Sequence, residues 1–198
     1  MENSIQNITE KAKKLETKSI LYDEIQIKDL GAYFIIYSFL GWLMEIIYVS
    51  LLNGHYTNRG FLFGPICPIY GYGIVILILL VSKYKNNIIK LFFSSFFILS
   101  ILEYIVSFAL ETLFKEHWWQ YESYLLDLNG RICLVHSVLW GILSIIFFKL
   151  IHPIVTKTIN KLSNKIQYPI VTLLILVYIV DTSLSIIFAF LGKTSGIV

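Results

Sequence analysis

The chain has 198 residues, of which 57% are apolar and only 15% are charged. This balance excludes an ordinary soluble globular protein and predicts a membrane protein. The formal net charge of +3 comes from basic residues that lie between apolar runs, where lipid headgroups are the simplest partners. We therefore expect membrane lipids as partners and no nucleic acid.

The first segment, residues 1–30, mixes lysines with glutamates and has isoleucine and leucine at loosely helical spacing. This pattern predicts a cytoplasmic polar or amphipathic segment. It is too polar for the apolar region of a signal peptide, so we expect it to be retained.

Five apolar runs follow, and each has about 20 residues or more, the length that spans a hydrocarbon core of roughly 30 Å. They predict an all-α, polytopic membrane bundle of about five transmembrane helices over residues 31–192. Spanning strands are excluded because the runs do not alternate polar and apolar residues. The runs are Gly31–Leu52, Phe61–Val81, Ile88–Phe114, Arg131–Leu150 and Tyr168–Leu191.

The second run differs from the others in its glycines and prolines. Gly64, Pro65, Pro68, Gly71 and Gly73 all fall near its start, and such residues weaken or kink a helix. Its first two turns are therefore either helical or a re-entrant or broken element.

Orientation follows from the distribution of basic residues. If five helices alternate, the N-terminal segment and the second-to-third and fourth-to-fifth connections share one side, which carries twelve lysines, against four basic residues on the other side. The positive-inside rule then predicts a cytoplasmic N-terminus, an outside C-terminus and a multi-pass protein of the plasma membrane. The four residues expected outside are Arg59, Lys115, Arg131 and Lys193.

Ionisable residues within the spans are candidates for function, because they are costly in lipid and usually face a bundle interior or a water-filled cavity. In the third run, Ser100, Glu103, Ser107 and Glu111 recur at the spacing of one helical stripe. Under the predicted orientation, the stripe climbs through the outer half of the bilayer. The other candidates are Glu45, His136 and Asp181.

The predicted outer loops add two arginines, Arg59 and Arg131, and the aromatic pair Trp118 and Trp119. A guanidinium suits a carboxylate or a phosphate, so the arginines either pair with Glu45 and Glu111 or bind an anionic ligand. The tryptophans form either an interfacial belt or a lid over a cavity.

Sequence motifs for cofactors are missing. Cys67 and Cys133 lack metal-ligand spacing, and the histidines lack the paired spacing of a zinc site. The tetrapeptide 192–195 resembles the end of a P-loop, but the required earlier glycine is Ile187. We expect no cofactor, no metal and no nucleotide-binding module in this chain.

Two long strings of residues resemble the family called putative ABC-transporter type IV, or CmpB-like. The likeness covers roughly residues 35–150 and picks out Glu45, Asn58, Arg59, Glu103, Glu111 and Arg131. Gln120 stands where the family usually has an aspartate. The strings are Phe39-Leu40-Gly41-Trp42-Leu43-Met44-Glu45 and Asn58-Arg59-Gly60-Phe61-Leu62-Phe63-Gly64-Pro65-Ile66-Cys67-Pro68-Ile69-Tyr70-Gly71, followed by Glu103-Tyr104, Glu111-Thr112-Leu113-Phe114, Trp118-Trp119-Gln120-Tyr121 and Asn129-Gly130-Arg131-Ile132-Cys133-Leu134.

The leading hypothesis is a transport-related, permease-like subunit that binds a small polar or anionic solute, or a lipid headgroup, in an outer cavity between the first, third and fourth helices. A separate ATPase subunit or a homo-oligomer would complete it. The alternatives are an intramembrane enzyme acting on an envelope lipid and a non-catalytic assembly or sensor subunit. The predicted binding residues are Glu45, Asn58, Arg59, Glu103, Glu111, Trp118, Trp119, Arg131 and His136.

Overall fold

The structure is a computed structural model that describes residues 29–57, 60–115 and 117–191. Within these ranges the regular elements are helices, and the one strand-like pairing is an isolated bridge between Leu128 and Ile132. Of the predicted segment 1–30, residues 1–28 lie outside the described part of the chain. The helices are α1 (Leu30–Asn53), α2 (Pro68–Leu80), α3 (Ile88–Phe114), α4 (Leu134–Ile159) and α5 (Asn164–Phe190).

Four of these helices are long and apolar enough to cross a membrane. They are α1, α3, α4 and α5, with 24 to 27 residues and mean hydropathies from 1.8 to 2.4. The fifth, α2, has 13 residues, which gives a rise of about 20 Å. The predicted all-helical membrane bundle is confirmed, with one helix shorter than its apolar run.

Three predicted boundaries are wrong, and polar residues explain the two at which the helix is longer than predicted. The run Arg131–Leu150 becomes α4, which starts at Leu134 and continues past His152 and Pro153 through a π-helical turn at Phe147–Ile151. The last helix begins at Asn164, before the predicted start at Tyr168. Polar residues at the ends of a spanning helix lie at headgroup level, so hydropathy alone ends the run too early.

Small residues let neighbouring helices approach closely. A Cβ on Gly41 of α1 would lie 2.2 Å from Cγ of Tyr70, and one on Gly71 of α2 would lie 2.7 Å from the carbonyl oxygen of Phe34. Between α3 and α4, the Ser100 hydroxyl donates to Ser137 at 2.7 Å. Such contacts replace the hydrophobic effect as the source of helix association in lipid.

One end of the bundle is held by side-chain hydrogen bonds between α1 and the later helices. Gln167 Nε2 donates to Asp29 at 2.6 Å, and the Tyr37 hydroxyl lies 2.9 Å from His152 Nδ1. The connections 81–87 and 160–163 lie at this lysine-rich end. Phe61 instead contacts Phe114 at the opposite end. Residues 61–80 therefore run from one end of the bundle to the other, while the side that each end faces remains a prediction.

The broken segment, residues 61–67, corrects the predicted helix Phe61–Val81, because these residues are not helical. Pro65 lacks an N–H group, and three of the other N–H groups bond to residues outside the segment. The Cys67 N–H donates to the Ser38 carbonyl at 3.0 Å, and the N–H groups of Phe63 and Gly64 donate to the Asp181 carboxylate. Irregular backbone is tolerated at membrane depth where protein groups satisfy it, so the alternative of a broken element is the one observed.

Candidate functional site

The centre of the site is the carboxylate of Glu103, a side chain only 5% exposed. It lies eleven residues, or about 16 Å, from the end of α3 at Phe114. Trp140 Nε1 of α4 donates to one oxygen at 2.8 Å, and the Tyr121 hydroxyl donates to the other at 3.0 Å. Glu103 thus joins α3, α4 and the aromatic loop, residues 115–133.

Tyr70 and Glu45 approach this carboxylate from the α1–α2 side. The Tyr70 ring lies 6.1 Å from that of Trp140, and Tyr70 is within electrostatic range of both Glu45 and Glu103. Glu45 accepts a hydrogen bond from the Cys67 thiol at 3.5 Å. We call this group the polar cluster, and its members are Glu45, Tyr70, Glu103, Tyr121, His136 and Trp140.

The aromatic loop brings Tyr121 onto His136. Their rings are stacked with centroids 4.2 Å apart, and the Cys133 thiol lies 3.1 Å from His136 Nδ1. Burial raises the pKa of the Tyr121 phenol well above its usual range, and the negative charge of Glu103 acts in the same direction. Tyr121 is therefore a neutral hydrogen-bond donor at any physiological pH.

The second part of the site is the ion pair of Arg131 and Glu111, near the end of α3. Arg131 Nη2 lies 2.6 Å from Glu111 Oε2, and its guanidinium lies over the rings of Tyr104 and Phe108, 5.4 and 5.5 Å from their centroids. Trp119 Nε1 donates to the Arg131 carbonyl at 3.0 Å. Among the described residues, the buried Arg131 Nε has no hydrogen-bond partner.

Trp118 lies at the end of the bundle beside the ion pair. Its ring contacts Phe61 and Phe114, with centroids 5.7 Å away in both cases. Trp118 thereby connects the aromatic loop to the start of the broken segment. Whether it serves as a belt or as a lid remains a prediction.

The structure brings most of the predicted site residues together. Glu103, Glu111, Trp119, Arg131 and His136 share the α3, α4 and aromatic-loop region, and Glu45 joins through Tyr70. Asn58 and Arg59 lie outside the described residues. Across the ranges that are described, no three histidine, cysteine, aspartate or glutamate side chains group as metal ligands.

Sequence reasoning missed Tyr70, Tyr121 and Trp140 as members of the site. Trp140 follows His136 by four residues, so helical spacing placed both on one face and was a usable signal. Nothing in the sequence pattern indicated that the side chain of Tyr121 reaches Glu103. Two depressions on the described surface lie around Pro153 and around Asp181, and neither is lined by the predicted site residues.

Residues 32–186 match the family described as putative ABC-transporter type IV. The chain belongs to this family.

The match to the type IV ABC-transporter family extends beyond residues 35–150, which carry the resemblance in the sequence, and it includes most of α5 with Asp181. No curated protein and no solved structure matches the chain. Together, the family and the four spanning helices make this a membrane protein of a transport-related family.

Proposed function

We propose that this protein is a permease-like subunit of a plasma-membrane transport system that binds a small polar or anionic solute, or a lipid headgroup, at Arg131. The observation that carries the proposal is the state of the Arg131 guanidinium. It is mostly buried, it is paired with a partly exposed glutamate, and its Nε lacks a partner among the described residues. Buried donors are normally satisfied, so this nitrogen favours an additional acceptor.

Glu111 is suited to act as an exchangeable counter-ion. Its side chain is 31% exposed, compared with 13% for Arg131, so the carboxylate is the partner that can swing into water. An incoming phosphate or carboxylate would take its place through paired, charge-assisted hydrogen bonds. The rings of Tyr104 and Phe108 hold the guanidinium in position during the exchange.

The polar cluster would form the wall beneath this anion. In the proposal, Glu103, Glu45 and His136 offer acceptors and donors for the polar part of the solute. Trp118 and Trp119 form the rim, and Asn58 and Arg59, which precede the broken segment, contribute further contacts.

Active transport would need either a partner ATPase or an ion gradient, because the sequence contains no nucleotide-binding motif. The family description favours a separate ATPase subunit, and a homo-oligomer is the other assembly that we propose. Native mass spectrometry of the protein extracted from its own membrane, with its lipids, would distinguish these assemblies by mass.

Anion binding can be measured as a melting-temperature shift of the purified full chain in lipid nanodiscs. The probes are inorganic phosphate, citrate and glycerol phosphate, because a ligand that binds only the folded state stabilises it. We expect at least one probe to raise the melting temperature. Arg131→Lys should weaken the apparent affinity about tenfold or more, since lysine cannot form paired hydrogen bonds.

Lys115→Asn is the matched control. Lys115 is an exposed base at the same end of α3 with φ of 61°, a conformation that asparagine tolerates. Its response to the probes should equal that of the unmodified protein. Equal responses in Arg131→Lys and the unmodified protein, or an equal loss in Lys115→Asn, would contradict a specific site at Arg131.

A further inference from the structure

The ion pair of Arg131 and Glu111 lies on the lipid-facing side of α3. The Arg131 guanidinium lies over the ring of Phe108, 5.5 Å from its centroid, and Phe108 is 52% exposed. Glu111 follows Phe108 by three residues, so the two side chains share one face of the helix. Because lipid covers the exposed face of a spanning helix, a molecule that arrives from the bilayer can reach this pair.

The same face of α3 carries an apolar stripe that leads up to the ion pair. Its members recur at spacings of four, four and three residues, and each is more than half exposed. The first member precedes the last by eleven residues, which is about 16 Å, or close to half of a hydrocarbon core of roughly 30 Å. The acyl chains of one leaflet fill this depth. The members of the apolar stripe are Phe97, Ile101, Ile105 and Phe108.

Apolar side chains are expected on the lipid face of any spanning helix, so the guanidinium is what distinguishes this one. Glu111, its partner, is three residues, or about 5 Å, from the end of α3 at Phe114, which is the level of the headgroups. The Leu128 carbonyl accepts the Arg131 N–H at 3.1 Å, and the Leu128 side chain is 53% exposed. Arg131 thus neighbours exposed apolar residues in both α3 and the aromatic loop. Such surroundings favour the phosphate of a lipid over that of a solute in water.

The opposite approach, from the interior of the bundle, is closed by packed side chains. Glu103 and Ser107, on the inner face of α3, are 5% and 7% exposed, and both Glu103 oxygens already accept hydrogen bonds. Toward the lipid, the group that has to move is the partly exposed Glu111 carboxylate. His117 Nδ1 lies 3.9 Å from Glu111 Oε2 and can hold the carboxylate after it leaves Arg131. The lipid side is therefore the easier route to the guanidinium.

We propose that the ligand of Arg131 is a glycerophospholipid of the surrounding leaflet, with its phosphate on the guanidinium in place of Glu111 and its acyl chains on the apolar stripe. This inference rests on the proposed function for Arg131 as the anion site, and it names the class of ligand. A lipid is confined to its leaflet, so its phosphate is already at headgroup level and at a high effective concentration. Paired, charge-assisted hydrogen bonds then select a phosphate over an uncharged headgroup.

Three matched probes separate the phosphate from the acyl chains. Dioctanoyl phosphatidylglycerol carries both parts, dioctanoylglycerol keeps the chains alone, and glycerophosphoglycerol keeps the phosphate alone. The melting temperature of the full chain is measured with each probe in detergent micelles that contain no other phospholipid, since a ligand of the folded state stabilises it. We expect dioctanoyl phosphatidylglycerol to raise the melting temperature at a concentration about tenfold or more below that which either partial probe requires.

Arg131→Lys keeps the positive charge but loses the paired hydrogen bonds. It should require about tenfold more dioctanoyl phosphatidylglycerol for the same rise in melting temperature. Lys115→Asn is again the matched control, because it removes a positive charge at the same end of α3, and its response should equal that of the unmodified protein. A cooperative melt without any probe shows that each variant has folded.

Cross-linking tests where the acyl chains lie. The full chain in the same micelles receives either a phosphatidylglycerol or a diacylglycerol with a photoreactive acyl chain, and mass spectrometry gives the ratio of cross-links on residues 97–108 to those on α5. The reference is α5 because it is the least buried of the four spanning helices. We expect this ratio to be about threefold or more higher with the phosphatidylglycerol. In Arg131→Lys the two lipids should give equal ratios.

Equal potency of glycerophosphoglycerol and dioctanoyl phosphatidylglycerol would overturn the inference but keep the proposed function, because the site would then take its phosphate from water. Equal potency of dioctanoylglycerol, or equal cross-link ratios for the two photoreactive lipids in the unmodified protein, would also overturn the inference. If neither the acylated probe nor any soluble anion changes the melting temperature, or if Arg131→Lys responds to all of them like the unmodified protein, the Arg131 site fails and the inference fails with it.

Discussion

Replacing Glu103 by leucine should lower the free energy of unfolding by about 2–6 kcal/mol, because two part-buried donors lose their acceptor at once and each costs about 1–3 kcal/mol when unsatisfied. The donors are Trp140 Nε1 and the Tyr121 hydroxyl. The change is measured as the midpoint of thermal unfolding in detergent or nanodiscs.

Glu103→Gln removes one acceptor oxygen while the volume of the side chain stays nearly the same. The amide keeps one acceptor oxygen and presents N–H₂ to the other donor. We therefore expect Glu103→Gln to lower the free energy of unfolding by less than Glu103→Leu does. Tyr121→Phe combined with Glu103→Gln should cost less than the sum of the two single changes. Glu122→Gln, at an exposed position of the aromatic loop, should have no effect. Additive losses would show that the Glu103 to Tyr121 contact is not formed.

Gly71→Ala should be the most damaging change in the helix packing. The added Cβ would lie 2.1 Å from Oγ of Ser38 and 2.7 Å from the backbone oxygen of Phe34. The serine can rotate away, but the carbonyl belongs to α1 and cannot move without separating the two helices. We expect a loss of about 1–3 kcal/mol or more, the usual cost of overpacking, read as a lower melting temperature.

Gly73→Ala, on the same helix, provides the control. Its Cβ would lie 3.2 Å from Cδ2 of Leu99, the end of a flexible side chain that can shift by a few tenths of an ångström. Because alanine also favours the helix by about 1 kcal/mol over glycine, the net effect should be near zero or stabilising. If Gly71→Ala and Gly73→Ala lower the melting temperature equally, the close approach of α1 and α2 is not the cause of the loss in Gly71→Ala.

The architecture was largely predictable from the sequence because lipid imposes a simple rule. Long apolar runs must satisfy their backbone internally, and this requirement gave the helical bundle and the full extent of α3. The glycines and prolines near Pro65 also indicated the broken segment. The predictions were wrong where polar residues continue a helix, as they do from Lys149 to Ile159 in α4.

The members of the site were predictable and their pairing was only partly so. The spacing of Glu103 and Glu111 on one face of α3 followed from helical geometry, and the pairing of Arg131 with Glu111 was among the expected outcomes. The bonds between Asp181 and the broken segment were not foreseeable. The bonded residues are separated by 118 and 117 positions in the sequence, and the backbone of the segment has no regular pattern.

The π-helical turn at Phe147–Ile151 makes one helix serve two different neighbours. One extra residue in a turn rotates everything after it by about 100° around the axis. Before the turn, Ser137 meets α3, and after it, His152 and Thr156 meet α1. Deleting a single residue there would restore a uniform pitch and swing both of the later side chains away from α1. The widened turn thus lets α4 contact α3 with its first half and α1 with its second half.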